Sequence, residues 1–447
     1  MLSRFLQIIL SVPGRYLPSA MPERYRQAYK QELIAWSLLP FMLGMLEGGV
    51  VGIMAKKSFG AQVDPETLNF IIGILTGLPA IANLTSFAWA AAVHGRPKIR
   101  FIVTLQILAA LSIASIGLAS PSTSGFVIFA LAVAMGRIAW AGVITVRTTV
   151  WGNNYPRTDR ARVAGCFATV QALCLAGVTF LMGLLLDGNP NAYQWAFPAA
   201  AAIGLIGILA YSRIHVHDHD KLLLAERSMD QTDRQSKPSL NPLAMISLLQ
   251  GDKDFRFFMI CMFLIGTGNM MVTAPLIVIL DEQFNMDYVQ AISILTSIPI
   301  LMMPLSIPIW SRLLDRLHVV RFRSIHSWVF IISNLIFFGS IIATWMPGIW
   351  IAAIIRGIGF GGGVLAWNLG HHDFSTPQSS SQYMGVHVTL TGIRGFLAPI
   401  LGVLVYESLL SWGYTGGGVF LLSSILGLIG ALGFLWLGRQ LRTPPED

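Results

Sequence analysis

An all-α membrane protein, with twelve transmembrane helices in two parallel repeats of six, is the fold that the sequence predicts. Three observations carry it. About a dozen apolar runs are each long enough, at roughly 20 residues, to cross a bilayer. Lys and Arg crowd into every second connection, and residues of one half recur in the other at a nearly constant offset.

The runs rest first on composition. The 447 residues are 54% hydrophobic and 12% charged, against about 25% charged in a soluble domain, and mean hydropathy is +0.64. That excludes a soluble fold. Spans fall near 33–55, 69–93, 99–119, 125–150, 163–186 and 193–213, then 255–280, 289–313, 326–346, 349–369, 386–407 and 415–438. Residues 1–32 form a cytoplasmic or interfacial N-terminal segment, 33–213 a first bundle, 214–254 a polar central loop, 255–438 a second bundle and 439–447 a tail. Phe5 to Leu10 reads as a helix lying in the membrane interface, being short for a signal core and followed by no cleavage pattern.

The basic connections come second. A net charge of +8 raises the question of a nucleic-acid partner, and its distribution answers no. Arg4, Arg15, Arg24, Arg26 and Lys30 precede span one; Arg96, Lys98 and Arg100 follow span two; Arg157, Arg160 and Arg162 follow span four. Arg312, Arg316, Arg321 and Arg323 flank the connection after span eight, and Arg439 and Arg442 close the chain. The alternate connections hold Lys56 and Lys57, and after span seven the acids Asp281, Glu282 and Asp287. By the positive-inside rule the partner of this charge is the lipid bilayer, and both termini are cytoplasmic. Cys166, Cys174 and Cys261 sit inside apolar spans, so they build neither a disulfide framework nor a metal cluster.

The repeat comes third. An offset of 220 carries Pro79 to Pro299, Gly165 to Gly385 and Asp187 to Glu407, and one of 219 carries Arg137 to Arg356 and Gly142 to Gly361. Span order and direction are preserved, which makes the repeat parallel.

This architecture resembles that of the major facilitator superfamily over essentially the whole chain. The local motifs are partial. Ser311-Arg312-Leu313-Leu314-Asp315-Arg316-Leu317-His318, with Arg321 and Arg323 after it, is similar to the family's G-x-x-x-D-R-x-G-[RK] element, Ser311 and His318 standing for its glycines. After span two only Gly95-Arg96 of that element remains. Arg137 with Gly142 resembles the family's span-four R-x-x-x-G, one residue longer. Span five lacks the proline of the superfamily's drug antiporters.

Function is sought in charges that hydrocarbon should exclude, since one at the bilayer centre costs at least about 2.5–3.5 kcal/mol. Four lie near mid-span: Glu47, Arg137, Arg356 and Arg394. The resemblance implies that spans one, four, seven and ten line a central cavity, which takes in the first three and makes Asn269 of span seven a further candidate. Glu47 reads as a proton-coupling carboxylate, protonated when desolvated and ionised when an arginine comes beside it, or as one end of a fixed salt bridge to Arg137. The repeat maps it onto Thr267, so only one half carries it. Arg137 and Arg356 read as a fork for an anionic solute, or as the family's structural arginines bonded to backbone carbonyls. Arg394 maps onto Cys174 and is the more specific sign of anion binding, its alternative being to snorkel towards a polar face.

Asp315 and Arg316, with Trp367 and Asn368, are candidates for a cytoplasmic gate, the latter pair alternatively opening a solvated turn into the tract Ser375 to Gln382. His215, His217 and His219 read either as chelators of a divalent metal or as a short exposed linker tract, and no second ligand cluster strengthens the metal reading; no metal or other cofactor is expected. No phosphate loop, nucleophile elbow or zinc helix marks an enzyme. The expectation is a monomeric, multi-pass transporter of the bacterial cytoplasmic (inner) membrane, moving a small anionic organic solute by alternating access. Arg137, Arg356, Arg394 and Asn269 would bind the solute, and Glu47 would carry the coupling proton. Its rivals are an exporter of amphiphilic compounds such as drugs or siderophores, and a non-transporting scaffold or sensor built on the central loop.

Overall fold

The computed structural model describes residues 17–232, 242–375 and 380–441. The expected interfacial helix at Phe5 to Leu10, residues 376–379 of the tract Ser375 to Gln382 and the last residues of the tail lie outside them. Among the described residues there is no strand. Twelve helical spans are long and apolar enough to cross a membrane: Glu23–Gln62, Pro65–Leu84, Lys98–Leu118, Thr123–Asn154, Thr158–Gly188 and Pro190–Ser212, then Lys253–Glu282, Tyr288–Leu314, Val319–Ile342, Met346–Asp373, Tyr383–Ser411 and Gly418–Gln440. An even number of crossings returns the chain to the face on which it began. We call that the basic face, and the opposite one the distal face.

Span one is two helices, α1 (Glu23–Gly44) and α2 (Gly48–Phe59). Hydropathy places its start near 33, yet α1 begins ten residues earlier, at Glu23. Glu32 is the reason: it is fully buried, its two oxygens taken by Trp151 Nε1 and by the Tyr155 hydroxyl (2.6 Å), so a charge that interrupts an apolar window is folded inside. Burial and Glu32 together push the Tyr155 hydroxyl well above its ordinary pKa. In the central connection α3 (His219–Thr232) lies on the basic face. Glu226 of α3 accepts from Lys98 Nζ at 2.6 Å and from Gly95 N at 2.8 Å, which ties the loop to the turn after span two. Span seven is again two helices, α4 (Lys253–Met271) and α5 (Thr273–Glu282).

Within each half the spans bury their small and aromatic faces against one another, while Leu111, Leu131, Leu209 and Leu305 stay exposed on the outside. That is the arrangement a lipid surround requires, because the backbone is satisfied inside each helix and apolar side chains face the tails. Between the halves the packing is unequal. α2 meets α5 and the start of span eight, span five meets span eight, and span two lies along span eleven. By contrast α1 packs on spans five and six of its own half, and α4 on spans eleven and twelve of its own. The halves therefore join over the distal part of the membrane and part towards the basic face.

Candidate functional site

Mid-depth is where both first spans break. In span one the break is Met45 to Glu47, with Glu47 extended at φ −62°, ψ 139° as the N-cap of α2. Gly44, Gly48 and Gly49 around it are poor helix formers, and Pro40 has already removed one donor from α1. The Leu46 carbonyl is left without a helical partner, an expensive condition in hydrocarbon. Arg137 of span four supplies one: its Nη2 donates to Leu46 O and stands 3.5 Å from Glu47 Oε1. In span seven Pro275 offers no N–H to the Met271 carbonyl, and its ring crowds that carbonyl. Arg356 of span ten donates from Nη2 to Asn269 O at 2.8 Å. The fourth span of each half thus places its arginine on a carbonyl at the break of that half's first span.

The candidates do not all share one cavity. Glu47, with 27% of its side chain exposed, is the accessible charge at this depth, next to Arg137 at 12%. Arg356 and Arg394 are each 7% exposed. Asn269 accepts a long bond from Asn334 Nδ2 (3.5 Å), whose amide also donates to Ser423 Oγ (2.8 Å). Arg394 stands apart. Span eleven meets span two through Gly392 against Leu84, Gly395 against Ala80 and Pro399 against Gly73. Arg394 lies two residues past Gly392, about 200° further round the helix, and donates from Nη1 to Met262 O of α4 at 2.5 Å. It points into the second half rather than between the halves.

The distal face is closed by polar contacts that the sequence displayed without pairing. Lys56 Nζ bonds Glu282 Oε1 (2.6 Å) and Asn69 Oδ1 (3.0 Å), and Lys57 Nζ bonds Asp281 Oδ1 (2.8 Å). The repeated acids Asp187 and Glu407 do equivalent work. Asp187 of span five accepts the Tyr288 and Val289 N–H groups at the start of span eight (2.6 and 3.0 Å). Glu407 of span eleven accepts Asn69 Nδ2 at the start of span two (2.6 Å). Opposite charge on the first and seventh spans' distal ends was the signal available for this closure.

At the basic face Asp315 and Arg316 are exposed and form no ion pair among the described residues. Trp367 Nε1 donates to Thr391 Oγ1 (3.4 Å) and Asn368 Nδ2 to Val364 O (2.8 Å), contacts within the second half. Among the described residues none of the four bonds across to the first half in this conformation. His215 O and His217 N are held by Asn154 (3.0 and 2.8 Å), and the Lys221 ammonium 3.0 Å from Asp218 holds that carboxyl below the usual range. Among the described residues no three His, Cys, Asp or Glu side chains gather where a metal could sit.

Some buried charges escaped the sequence reading. Arg147 stacks between Trp36 and Trp151, its Cζ 4.5 Å from each ring. Arg323, counted with the orienting charges of the connection, is instead only 5% exposed, and its Nη1 donates to His326 Nδ1 at 3.1 Å. His326 and His387 have no exposed surface at all. A hydropathy window averages such residues away, and the expected span bounds left Arg323 outside its span and Arg147 and His387 within three residues of an end, so nothing in the sequence marked them as buried.

Twelve spans in two sixes, first spans broken at mid-depth and a closure on one face define the fold class, that of a polytopic helical membrane protein. The chain belongs to the Major Facilitator Superfamily, whose family model matches residues 34–399 and 258–447, and it is a transporter rather than an enzyme. No curated protein matches it. Solved structures share the fold at low identity. A mutant of the nucleoside transporter NupG is 14% identical, with 92% of this chain and 99% of that one covered and a TM-score of 0.65. The POT family transporter PepTSo is 11% identical over 94% and 99%, with a TM-score of 0.68. A bacterial homologue of the human lysosomal transporter Spinster, inward-facing and occupied, is 14% identical over 95% and 100%, with a TM-score of 0.66.

Proposed function

We propose that this transporter moves a small organic solute bearing an anionic group, and that Glu47 couples the movement to a proton. The observation that carries the proposal is the placement of α2. Glu47 caps one end of it, against Arg137, and Lys56 and Lys57 stand at the other end, against Glu282 and Asp281. α2 has 12 residues, about 18 Å at 1.5 Å per residue. One rigid element therefore joins the accessible carboxylate to the distal latch.

By the positive-inside rule the basic face is cytoplasmic, so this conformation is open to the cytoplasm and Glu47 exchanges its proton there. An ionised Glu47 is held by Arg137 and by the N-terminus of α2, where the helix dipole favours negative charge. Protonation removes both attractions while Arg137 keeps the Leu46 carbonyl. The break in span one is then free to change angle, and α2 carries Lys56 and Lys57 away from Asp281 and Glu282. Arg137 and Arg356, on their two carbonyls, set a positive field at mid-depth that an anionic group on the solute would meet, with Asn269 beside it.

The test uses membrane vesicles and a solute identified by an uptake screen under an imposed proton gradient. Glu47→Gln should abolish gradient-driven accumulation and leave counterflow exchange intact. Full accumulation by that variant overturns the coupling role. Screening hits confined to cations or neutral compounds overturn the anionic one.

A further inference from the structure

Inside the second half, behind the interface between the halves, lies a group of cationic and imidazole side chains whose positive charge no carboxylate among the described residues balances. Arg394 and His387 are seven residues apart on span eleven, two helical turns and so on one face. Arg323 and His326 come from span nine, and Trp367 from span ten stands edge-on to His387, ring centres 5.7 Å apart. His326 is accounted for: Nδ1 accepts from Arg323 Nη1 (3.1 Å), which leaves Nε2–H to donate to Gly359 O (2.7 Å), so the ring is neutral. The others are not. Arg323 Nε, Arg394 Nε and both ring nitrogens of His387 are buried without a hydrogen-bond partner. The residues themselves are 5%, 7% and 0% exposed.

The charges of Arg323 and Arg394 both act on His387, and Arg394 acts on Arg323. No carboxylate among the described residues acts on either arginine. Guanidinium does not lose its proton in proteins, so two like charges are buried together with donors unmade. Each unmade buried donor destabilises the fold, and more so when it is charged. A water molecule would satisfy the donors but not the charge. An anion does both, and a planar or tetrahedral oxyanion matches the forked N–H groups of arginine better than a sphere does.

We propose that the second half holds a small oxyanion of the carboxylate or phosphate class, bound by Arg323 and Arg394 with His387 as a further donor and Trp367 as its wall. The site is separate from the Glu47–Arg137 pair, and it stands or falls independently of proton coupling. It also gives Arg394 a ligand without requiring that it face the central cavity.

The experiment is thermal unfolding of the purified full-length protein in detergent, titrated with sodium phosphate or sodium acetate at ionic strength held constant with sodium chloride. We expect a saturable rise in Tm with phosphate, which marks a phosphate-class site, or with acetate, which marks a carboxylate-class one. Arg323→Gln should lose that rise. Its Tm without added oxyanion should equal or exceed that of the unsubstituted protein, because removing an unbalanced buried charge relieves the fold, whereas a structural arginine would lower it. His387→Phe keeps both arginines and the ring volume, and should weaken the response at least tenfold in midpoint concentration. A Tm indifferent to both oxyanions, or a rise undiminished in both variants, overturns the proposal.

Discussion

Lys56→Met is the sharpest probe of the distal closure, because the side chain is 7% exposed and joins two other spans at once. The substitution keeps the apolar stem and removes the cation. Asn69 Oδ1 and Glu282 lose the lysine as a donor, while Glu407 keeps the Asn69 amide and Asp281 keeps Lys57. Net hydrogen bonds to charged groups are worth about 1.5–3 kcal/mol. Glu282 is 45% exposed, so its share is screened down to the surface range of about 1 kcal/mol or less. The Lys56–Asn69 bond lies within the first half and survives opening, so the loss across the halves is about 1 kcal/mol, which shifts a two-state ratio about 5-fold. The assay is a spin-label distance measurement between Glu66→Cys on span two and Ser411→Cys on span eleven, in a background without Cys166, Cys174 and Cys261. The ratio of the long-distance to the short-distance population should rise by that factor in Lys56→Met and by less in Glu282→Gln. An unchanged distribution, or a larger effect from Glu282→Gln, would show that the closure rests on packing and not on this charge.

Other consequences follow from the same contacts. Gly395→Val places side-chain atoms where Ala80 already sits, and overpacking of about 1–3 kcal/mol should likewise raise the long-distance population of the same label pair. Glu226→Gln removes the carboxylate from Lys98, which is only 1% exposed; the loss should be about 2–4 kcal/mol locally, read as faster hydrogen exchange over residues 219–226 with exchange in span two's core unchanged. Glu32→Gln leaves either Trp151 or Tyr155 without its acceptor and should cost about 1–3 kcal/mol, seen as a lowered Tm in detergent.

How much of this was legible in the sequence divides along a physical line. Span number, order and direction came from hydropathy and basic connections because they are sums over many residues, and sums tolerate local exceptions. Boundaries failed where one polar residue had a buried partner: Glu32 ended the apolar window, yet Trp151 and Tyr155 let it lie inside α1. The repeat found Asp187 and Glu407 as equivalents without revealing that each reaches across to the other half, since an offset carries no information about distance. Arg137 and Arg356 were recognised as paired positions. That both would rest on carbonyls beside the breaks of the first spans depended on where the backbone breaks around Glu47 and Gly48 and ahead of Pro275. Arg394 kept its charge in the reading and lost its direction, because one residue's bearing on a helix is fixed by which neighbours meet span two.

A repeat explains what the halves share, but coupling requires what they do not. At the break of span one an arginine meets a carbonyl and a carboxylate; at the break of span seven its counterpart meets a carbonyl alone, beside an amide held by Asn334. In the proposed coupling, a proton taken up at Glu47 would therefore alter the balance on one side of the mid-plane and leave the other side as it was. A ligand that interacts equally with two conformations moves neither population, however tightly it binds. If both breaks carried the same groups, protonation would loosen both halves alike and favour no direction of rocking. On the proposed coupling, the single carboxylate on α2, with the latch lysines at that helix's far end, is what would give a proton unequal purchase on the two states.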